Sequence, residues 1–288
     1  MKSVIIYYFS GTGNTEFVAN MVKEGFTNYK YKVSVVKIED VLKKNLEIDV
    51  EKYDLVGIGC QVIGFGIPNI VYKFINSMPK VLHKKMFIFR TAGGVAPINY
   101  NSSRPIIRKL SKKGYEVFYE RIFSISSNWI DKFDDIIIKK LYEATTKKIA
   151  IMCKEVINGE SRILKTGIGI KVLMTGVVSI TRWIFPLLGK DLSANELCNH
   201  CGLCIRNCPT RNIYESNGKI KFNFSCCSCM RCVYSCPKTA INYRVFTFFR
   251  ISDGYNIKKI IGQPLNERKI NSKKVPKFYY NYISNDTM

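Results

Sequence analysis

Val4-Ile5-Ile6-Tyr7-Tyr8-Phe9 runs directly into Ser10-Gly11-Thr12-Gly13-Asn14-Thr15, and this junction sets the architecture of the N-terminal half. The apolar run predicts a buried strand over 2–9. The loop behind it is small, hydroxylated and Gly-rich. It opens a helical pattern at Phe17, Val18, Met21 and Val22. A strand, a Gly/Thr loop and a helix N-terminus together form an anion site, because free N–H groups and the helix dipole favour negative charge. The hydroxyls of Ser10, Thr12 and Thr15 add hydrogen bonds. The loop holds no Lys, so it is not a Walker A loop, and it is not G-x-G-x-x-G. Further strands are predicted at 33–38, 54–60, 85–90 and 116–122. Helical stretches lie near 14–26, 69–77 and 103–113. That alternation predicts an α/β fold with a doubly wound, parallel, five-stranded sheet. Ligands of such sheets sit at the carboxyl ends of the strands.

Ser10-Gly11-Thr12-Gly13-Asn14-Thr15 after a first strand resembles the FMN-phosphate loop of flavodoxins. The resemblance extends to Gln61-Val62-Ile63-Gly64-Phe65-Gly66-Ile67-Pro68 and to Thr91-Ala92-Gly93-Gly94. In flavodoxins these two loops flank the isoalloxazine ring, and glycines let the backbone approach it. The resemblance implies FMN as a cofactor, with Ile63, Gly64, Phe65, Thr91, Ala92, Gly93 and Gly94 beside the ring. Many relatives carry an aromatic residue where this chain has Ile63. Phe65 is the nearest aromatic, and Tyr100 is expected over the other face. Ser126-Ser127-Asn128-Trp129 follows the last strand, and two readings stay open for it. It approaches the flavin region, or it is a plain turn before a helix beginning near Asp131, capped by Asn128 or Asp131. That helix, ended by Asn158-Gly159, closes a domain over 1–158.

Eight cysteines further on repeat one pattern. The first copy is Cys198-x-x-Cys201-x-x-Cys204-x-x-x-Cys208-Pro209, and the second is Cys226-x-x-Cys229-x-x-Cys232-x-x-x-Cys236-Pro237. Closely spaced cysteines in a tight loop can turn three thiolates onto one cubane, and the fourth Cys reaches the other cluster. Zinc usually takes two C-x₂-C knuckles separated by a longer spacer, which this is not. A disulfide framework would need an oxidising compartment. The stretch resembles the two-cluster bacterial ferredoxins, which implies a small α+β ferredoxin domain over 196–245 holding two [4Fe-4S] clusters. The resemblance assigns Cys198, Cys201, Cys204 and Cys236 to one cluster. It assigns Cys226, Cys229, Cys232 and Cys208 to the other. Gly218–Phe222 reads as a turn and strand between the halves. His200 is read as a solvent-facing filler, and Cys227 as a small buried side chain.

Of the 288 residues, 47% are hydrophobic, enough for a sizeable core, and the formal net charge is +23. Each oxidised four-thiolate cubane carries roughly two negative charges, so two clusters would remove about four units and leave the balance basic. The lysines are scattered, without a Lys/Arg block or a nucleic-acid motif, so no nucleic acid is expected. An acidic redox protein is the partner class that the charge suits. Eleven cysteines, an odd number, together with a cluster pattern suggest reduced thiols in a cytoplasmic setting. No signal peptide is read at the N-terminus. Cys60 and Cys153 are read as packing residues.

Residues 163–188 are apolar. Lys171 and Arg182 leave an uncharged run short of the roughly 18 residues that a span requires. The expectation for this linker, 159–195, is a helix that buries the joint between the domains and ends at Pro186. An interfacial helix with Trp183 and Phe185 at headgroup level is the reading set second, so membrane-surface contact is not favoured. The tail, 246–288, is basic and aromatic and is expected to fold back over one of the domains. The whole chain resembles the anaerobic flavodoxin–ferredoxin fusion proteins. The resemblance implies a flavo-iron-sulfur oxidoreductase or carrier passing electrons between clusters and FMN. The competing reading is a ferredoxin-type carrier or assembly module whose first half binds a partner and no flavin. No NAD(P) fingerprint or catalytic triad is present.

Overall fold

The computed structural model describes residues 1–130, 132–263 and 277–285. Its N-terminal half alternates strand and helix. The elements are β1 (Ser3–Phe9), α1 (Asn14–Asn28), β2 (Lys32–Lys37), α2 (Ile38–Lys44), β3 (Leu55–Gln61), α3 (Asn69–Ser77) and β4 (Lys84–Ala92). A short α4 (Pro97–Tyr100), α5 (Arg104–Ser111), β5 (Tyr115–Ser124) and α6 (Asp135–Ile157) follow. The sheet order is β2-β1-β3-β4-β5 and every pairing is parallel. The strands are the expected ones to within about two residues at each end, the usual looseness of element boundaries. The sequence reading did not anticipate α2 or α4.

Both faces of β1 are apolar, as a doubly covered parallel strand requires. Ile5, Tyr7 and Phe9 join the cluster under α3 and α5, with Phe74, Ile75, Ile106 and Leu110. Val4, Ile6 and Tyr8 join the opposite cluster with Val18, Val22, Phe26 and Met152 of α1 and α6. The cap of α6 is Asp134, whose Oδ1 accepts from the Ile136 N–H at 2.9 Å. That corrects the expected cap at Asn128. Asp131 lies outside the described residues.

One buried ion cluster ties the outer strands to the loops. Arg90 of β4 and Glu120 of β5 are both fully buried and pair at 2.9 Å. Arg90 Nη1 donates to the Asn99 carbonyl and to Ser102 Oγ. Glu120 accepts from Ser103 Oγ and from the Leu164 N–H, and Arg104 stands 3.6 Å away. The pair therefore fixes the segment 99–104 and the entry to the linker.

Cys60 of β3 and Cys153 of α6 sit in the two core clusters. Burial pushes each thiol up to about 12. The thiolate is the reactive form. Both thiols are therefore expected to resist iodoacetamide at pH 8 in the folded protein and to react in denaturant. Mass spectrometry of the alkylated peptides checks this.

The linker helix α7 (Ile168–Asp191) runs straight through Pro186. Only Met174, Leu188, Gly189 and Asp191 along it are buried. This departs from the expected joint-burying helix. Its inner side packs Phe185 on Gly64 and Val178 on Gly66, and its outer side has no cover among the described residues. The cysteine-rich unit follows with β6 (Leu192–Ala194), α8 (Leu203–Asn207), β7 (Ile213–Ser216), β8 (Lys219–Phe222), α9 (Arg231–Ser235) and β9 (Ile241–Tyr243). Strand β6 pairs antiparallel with β9, and β7 with β8 through a turn in which Asn217 and Gly218 have positive φ. In the described parts of 246–288, Phe249 packs on the cysteine unit and the rest packs onto the first unit. Ile251 and Tyr255, with Ile257 and Ile260 of α10 (Ile257–Gly262), join the cluster under α1 and α6. Tyr279 and Tyr282 of α11 (Lys277–Ser284) pack on Leu141 and Ala144. The lysines expected between 269 and 276 lie outside the described residues.

Candidate cofactor and cluster sites

At the carboxyl edge of the sheet lies a cavity of about 490 Å³. Its floor is the loop between β1 and α1, with Ser10, Gly11, Thr12, Asn14 and Thr15 on the lining. Gly13 is not on the lining. It shapes the loop, its N–H donating to Ser10 Oγ at 3.2 Å and its φ being +104°. Helix α1 begins without a side-chain cap, so its first turn faces the cavity with backbone donors in place. The one acid of that turn, Glu16, is drawn to Lys37 at 3.1 Å and to the Tyr8 hydroxyl. An anionic headgroup therefore fits this end. Thr15 and Thr91 share a buried hydroxyl–hydroxyl bond of 2.8 Å that joins the first loop to the end of β4.

The sides are the loops after β3 and β4. Ile63, Gly64 and Phe65 line the cavity, as do Thr91, Ala92, Gly93 and Gly94. Ile63 and Gly66 exchange two backbone bonds of 2.9 Å, a tight turn with Gly64 and Phe65 at positive φ. Tyr100, expected over the ring, is not on the lining. Its carbonyl accepts from Arg90, and the buried charge cluster holds that segment beside the sheet. Asn99 and Ile98 take its place on the wall.

Three further contributors complete the lining. The first is Ser126–Ile130, which the sequence left open between a turn and a wall. Its residues line the cavity, and Asn128 Nδ2 donates to Thr12 Oγ1 at 2.5 Å. Trp129 stacks on Phe249 at 4.6 Å and meets Phe185 edge-on at 5.5 Å. The second is α11, which brings Phe278 and Tyr279 to the lining. A Cβ on Gly94 would stand 2.4 Å from the Phe278 ring, so glycine is what admits that aromatic. The third is Ser228–Cys229 of the cysteine unit, discussed next.

Two further cavities lie inside the cysteine unit. One is lined by Cys208, Cys226, Cys229 and Cys232, the other by Cys198, Cys201, Cys204 and Cys236. The two quartets are thus grouped as the crossed spacing implies. The repeat extends to the backbone. His200, Gly202 and Arg211 have positive φ, and so do Ser228, Met230 and Thr239, at the offset that separates Cys198 from Cys226. The N–H of Asn212 points at Cys208 Sγ at 3.1 Å, and that of Ala240 at Cys236 Sγ at 3.3 Å. The Ser228 N–H points at Cys226 Sγ at 3.3 Å. Such bonds stabilise thiolate charge and raise a bound cluster's potential. A hydrogen bond from Cys227 holds the Cys229 thiol below the usual thiol range. His200 sits outside, bonded to Glu215 at 2.9 Å.

Cys229 and Ser228 line both the large cavity and the first cysteine cavity, so the two share a wall. A Cβ on Gly11 would lie 2.2 Å from the Cys229 carbonyl oxygen; the phosphate-type loop and the cysteine loop touch backbone to backbone there. Arg231 locks the contact. Its guanidinium donates to the carbonyls of Ser10 at 2.5 Å, Gly11 at 3.3 Å and Asn207 at 3.0 Å. It also pairs with the buried Glu39 at 2.6 Å. Neither periodicity nor spacing marks Arg231 in the sequence, because a contact between distant loops leaves no local pattern.

A family model described as a flavodoxin domain matches residues 5–148, and a 4Fe-4S dicluster domain model matches residues 190–249. Among solved structures, flavodoxin 2 of Bacillus cereus is 16% identical and has a TM-score of 0.41; the match covers 55% of this chain and 99% of that one. Flavodoxin 1 of Bacillus cereus is 20% identical, with coverages of 56% and 100% and a TM-score of 0.39. Rubredoxin oxygen:oxidoreductase of Desulfovibrio gigas is 13% identical, with coverages of 62% and 37% and a TM-score of 0.40. No curated protein matches the chain.

Proposed function

The chain belongs to the flavodoxin-domain family and carries a 4Fe-4S dicluster domain behind it, and on that premise we propose that it exchanges electrons between two [4Fe-4S] clusters and a bound FMN. An electron-transfer role follows from the two domains together. A cubane passes one electron at a time, and a flavin takes one or two. The observation that carries the reading is the shared wall at Ser228–Cys229.

The residues of this chain divide the work. Ser10, Thr12, Thr15 and the first turn of α1 would hold the phosphate. Ile63, Gly64 and Phe65 would flank the ring from one loop, and Thr91, Ala92, Gly93 and Gly94 from the other. The aromatic cover absent at Ile63 is available from Phe278, and Trp129 stands on the same lining. Cys208, Cys226, Cys229 and Cys232 would hold the cluster nearer the flavin site. Cys198, Cys201, Cys204 and Cys236 would hold the outer one, where a donor protein docks. The formal net charge is +23, which suits an acidic redox protein as that donor.

Titrating flavin-free protein with FMN under anaerobic conditions tests the reading. Binding near one per chain is expected, with flavin fluorescence quenched. Phe278→Ala is expected to weaken binding about tenfold, the worth of one buried aromatic contact. Iron and sulfide without any FMN uptake would favour a flavin-free carrier instead.

A further inference from the structure

We propose that the outer face of α7 docks on an anionic lipid surface, with the helix lying in the interface rather than crossing it. By length and composition α7 could span a bilayer, yet 17% of its most apolar window is buried inside the protein. Val172, Leu173, Ile180, Trp183, Ile184 and Leu187 are exposed, Trp183 by 81%. On a helical wheel these fall on one side, together with Gly176, against which none of the described residues packs. They form an apolar ridge roughly 22 Å long at the α-helical rise. Soluble monomers rarely leave such a stripe uncovered.

The helix is not free to cross a membrane. Phe185 rests on Gly64, Val178 on Gly66, and Arg182 lies over the Tyr72 ring at 5.0 Å. That packing holds α7 flat along the protein with only the ridge outward. Charge selects the occupant. Between Lys165 and Lys190 the sequence holds Lys165, Lys171, Arg182 and Lys190 and no carboxylate. The next acid, Asp191, is occupied by the N–H groups of Val245 and Phe246. A second copy of the chain would bring the same positive charge to the contact. Arg182 is turned to Tyr72 and Lys190 to the Phe222 carbonyl, so Lys165 and Lys171, with the chain's net charge of +23, favour anionic headgroups while the ridge enters the acyl boundary and Trp183 sits at the interface. The surface is separate from the cluster and flavin cavities, so it stands whether or not FMN binds.

The test is vesicle co-sedimentation of the purified full chain. Vesicles of phosphatidylcholine with phosphatidylglycerol are compared with phosphatidylcholine alone, at low and high salt. Binding to the anionic vesicles that weakens with salt is expected. Ile180→Asp/Leu187→Asp is expected to weaken it about tenfold or more. Both positions are exposed, so the visible cluster absorbance of the variant should be unchanged and reports that it folds. Trp183→Ala gives a milder second variant in the same direction. Failure to bind anionic vesicles overturns the proposal. So does binding that the double variant retains. A dimer in lipid-free buffer that the double variant dissolves would also overturn it, by assigning the ridge to a second copy.

Discussion

Arg231→Ala slows electron passage between the cysteine unit and the flavin site by roughly tenfold to a hundredfold, the scale on which ångström misplacement acts. The guanidinium is what ties the Cys229–Arg231 loop to the carbonyls of Ser10 and Gly11. Removing it also strands Glu39, a carboxylate 4% exposed as a residue, at a cost of about 3 kcal/mol. Arg231 is not a sulfur ligand and is not on the lining of the large cavity, but it lines the first cysteine cavity, so the rate is compared at matched iron, sulfide and FMN content. Stopped-flow absorbance, following the flavin band after a reductant has filled the clusters, reads the rate. Arg231→Lys keeps the charge but loses the fork that reaches several oxygens, and is expected to recover only part of it. An unchanged rate in Arg231→Ala would remove the clamp from the account.

Glu120→Ala has the largest expected effect on stability. It leaves Arg90 charged and unpaired in the core, and it frees Ser103 and the Leu164 N–H together. Losing one partner of a buried pair costs about 3–5 kcal/mol, which for a domain of this size corresponds to a fall in melting temperature on the order of 10 °C. The wall formed by Ile98 and Asn99 depends on the same cluster, so FMN affinity should fall as well. Glu120→Gln, which keeps an acceptor, is expected to lose less. Thermal and urea unfolding measure both. A loss under about 1 kcal/mol for the Ala variant would show that Ser102 and the carbonyls of Asn99 and Tyr100 suffice to hold Arg90.

Much of this was legible from local chemistry. The alternation of two apolar faces in β1 and the Gly/Thr loop behind it specify a doubly wound sheet, because both signals sit within a dozen residues. The cysteine pattern marks the iron-sulfur unit, because ligand spacing is a property of short loops, while the pairing across the repeat was read from the ferredoxin resemblance. What escaped the sequence is long-range. Tyr100 was expected over the ring because it is the next aromatic after the loop, but Arg90 draws that segment's backbone inward. Phe278, far along the chain, reaches the lining through α11. The α7 segment was expected to bury a joint because it is an apolar link between two redox units that must sit close. Hydrophobicity alone does not say how many sides of a helix find a partner, and among the described residues only the side bearing Val178 and Phe185 does.

The most direct test is the order of flavin reduction within one molecule. Anaerobically assembled protein carrying about eight iron, about eight sulfide and one FMN is mixed with a donor that reduces the clusters first. The flavin band should then bleach in a first-order phase whose rate does not change with protein concentration. A rate that rises in proportion to protein concentration, or clusters that stay reduced beside an oxidised FMN, would contradict transfer through the Ser228–Cys229 wall.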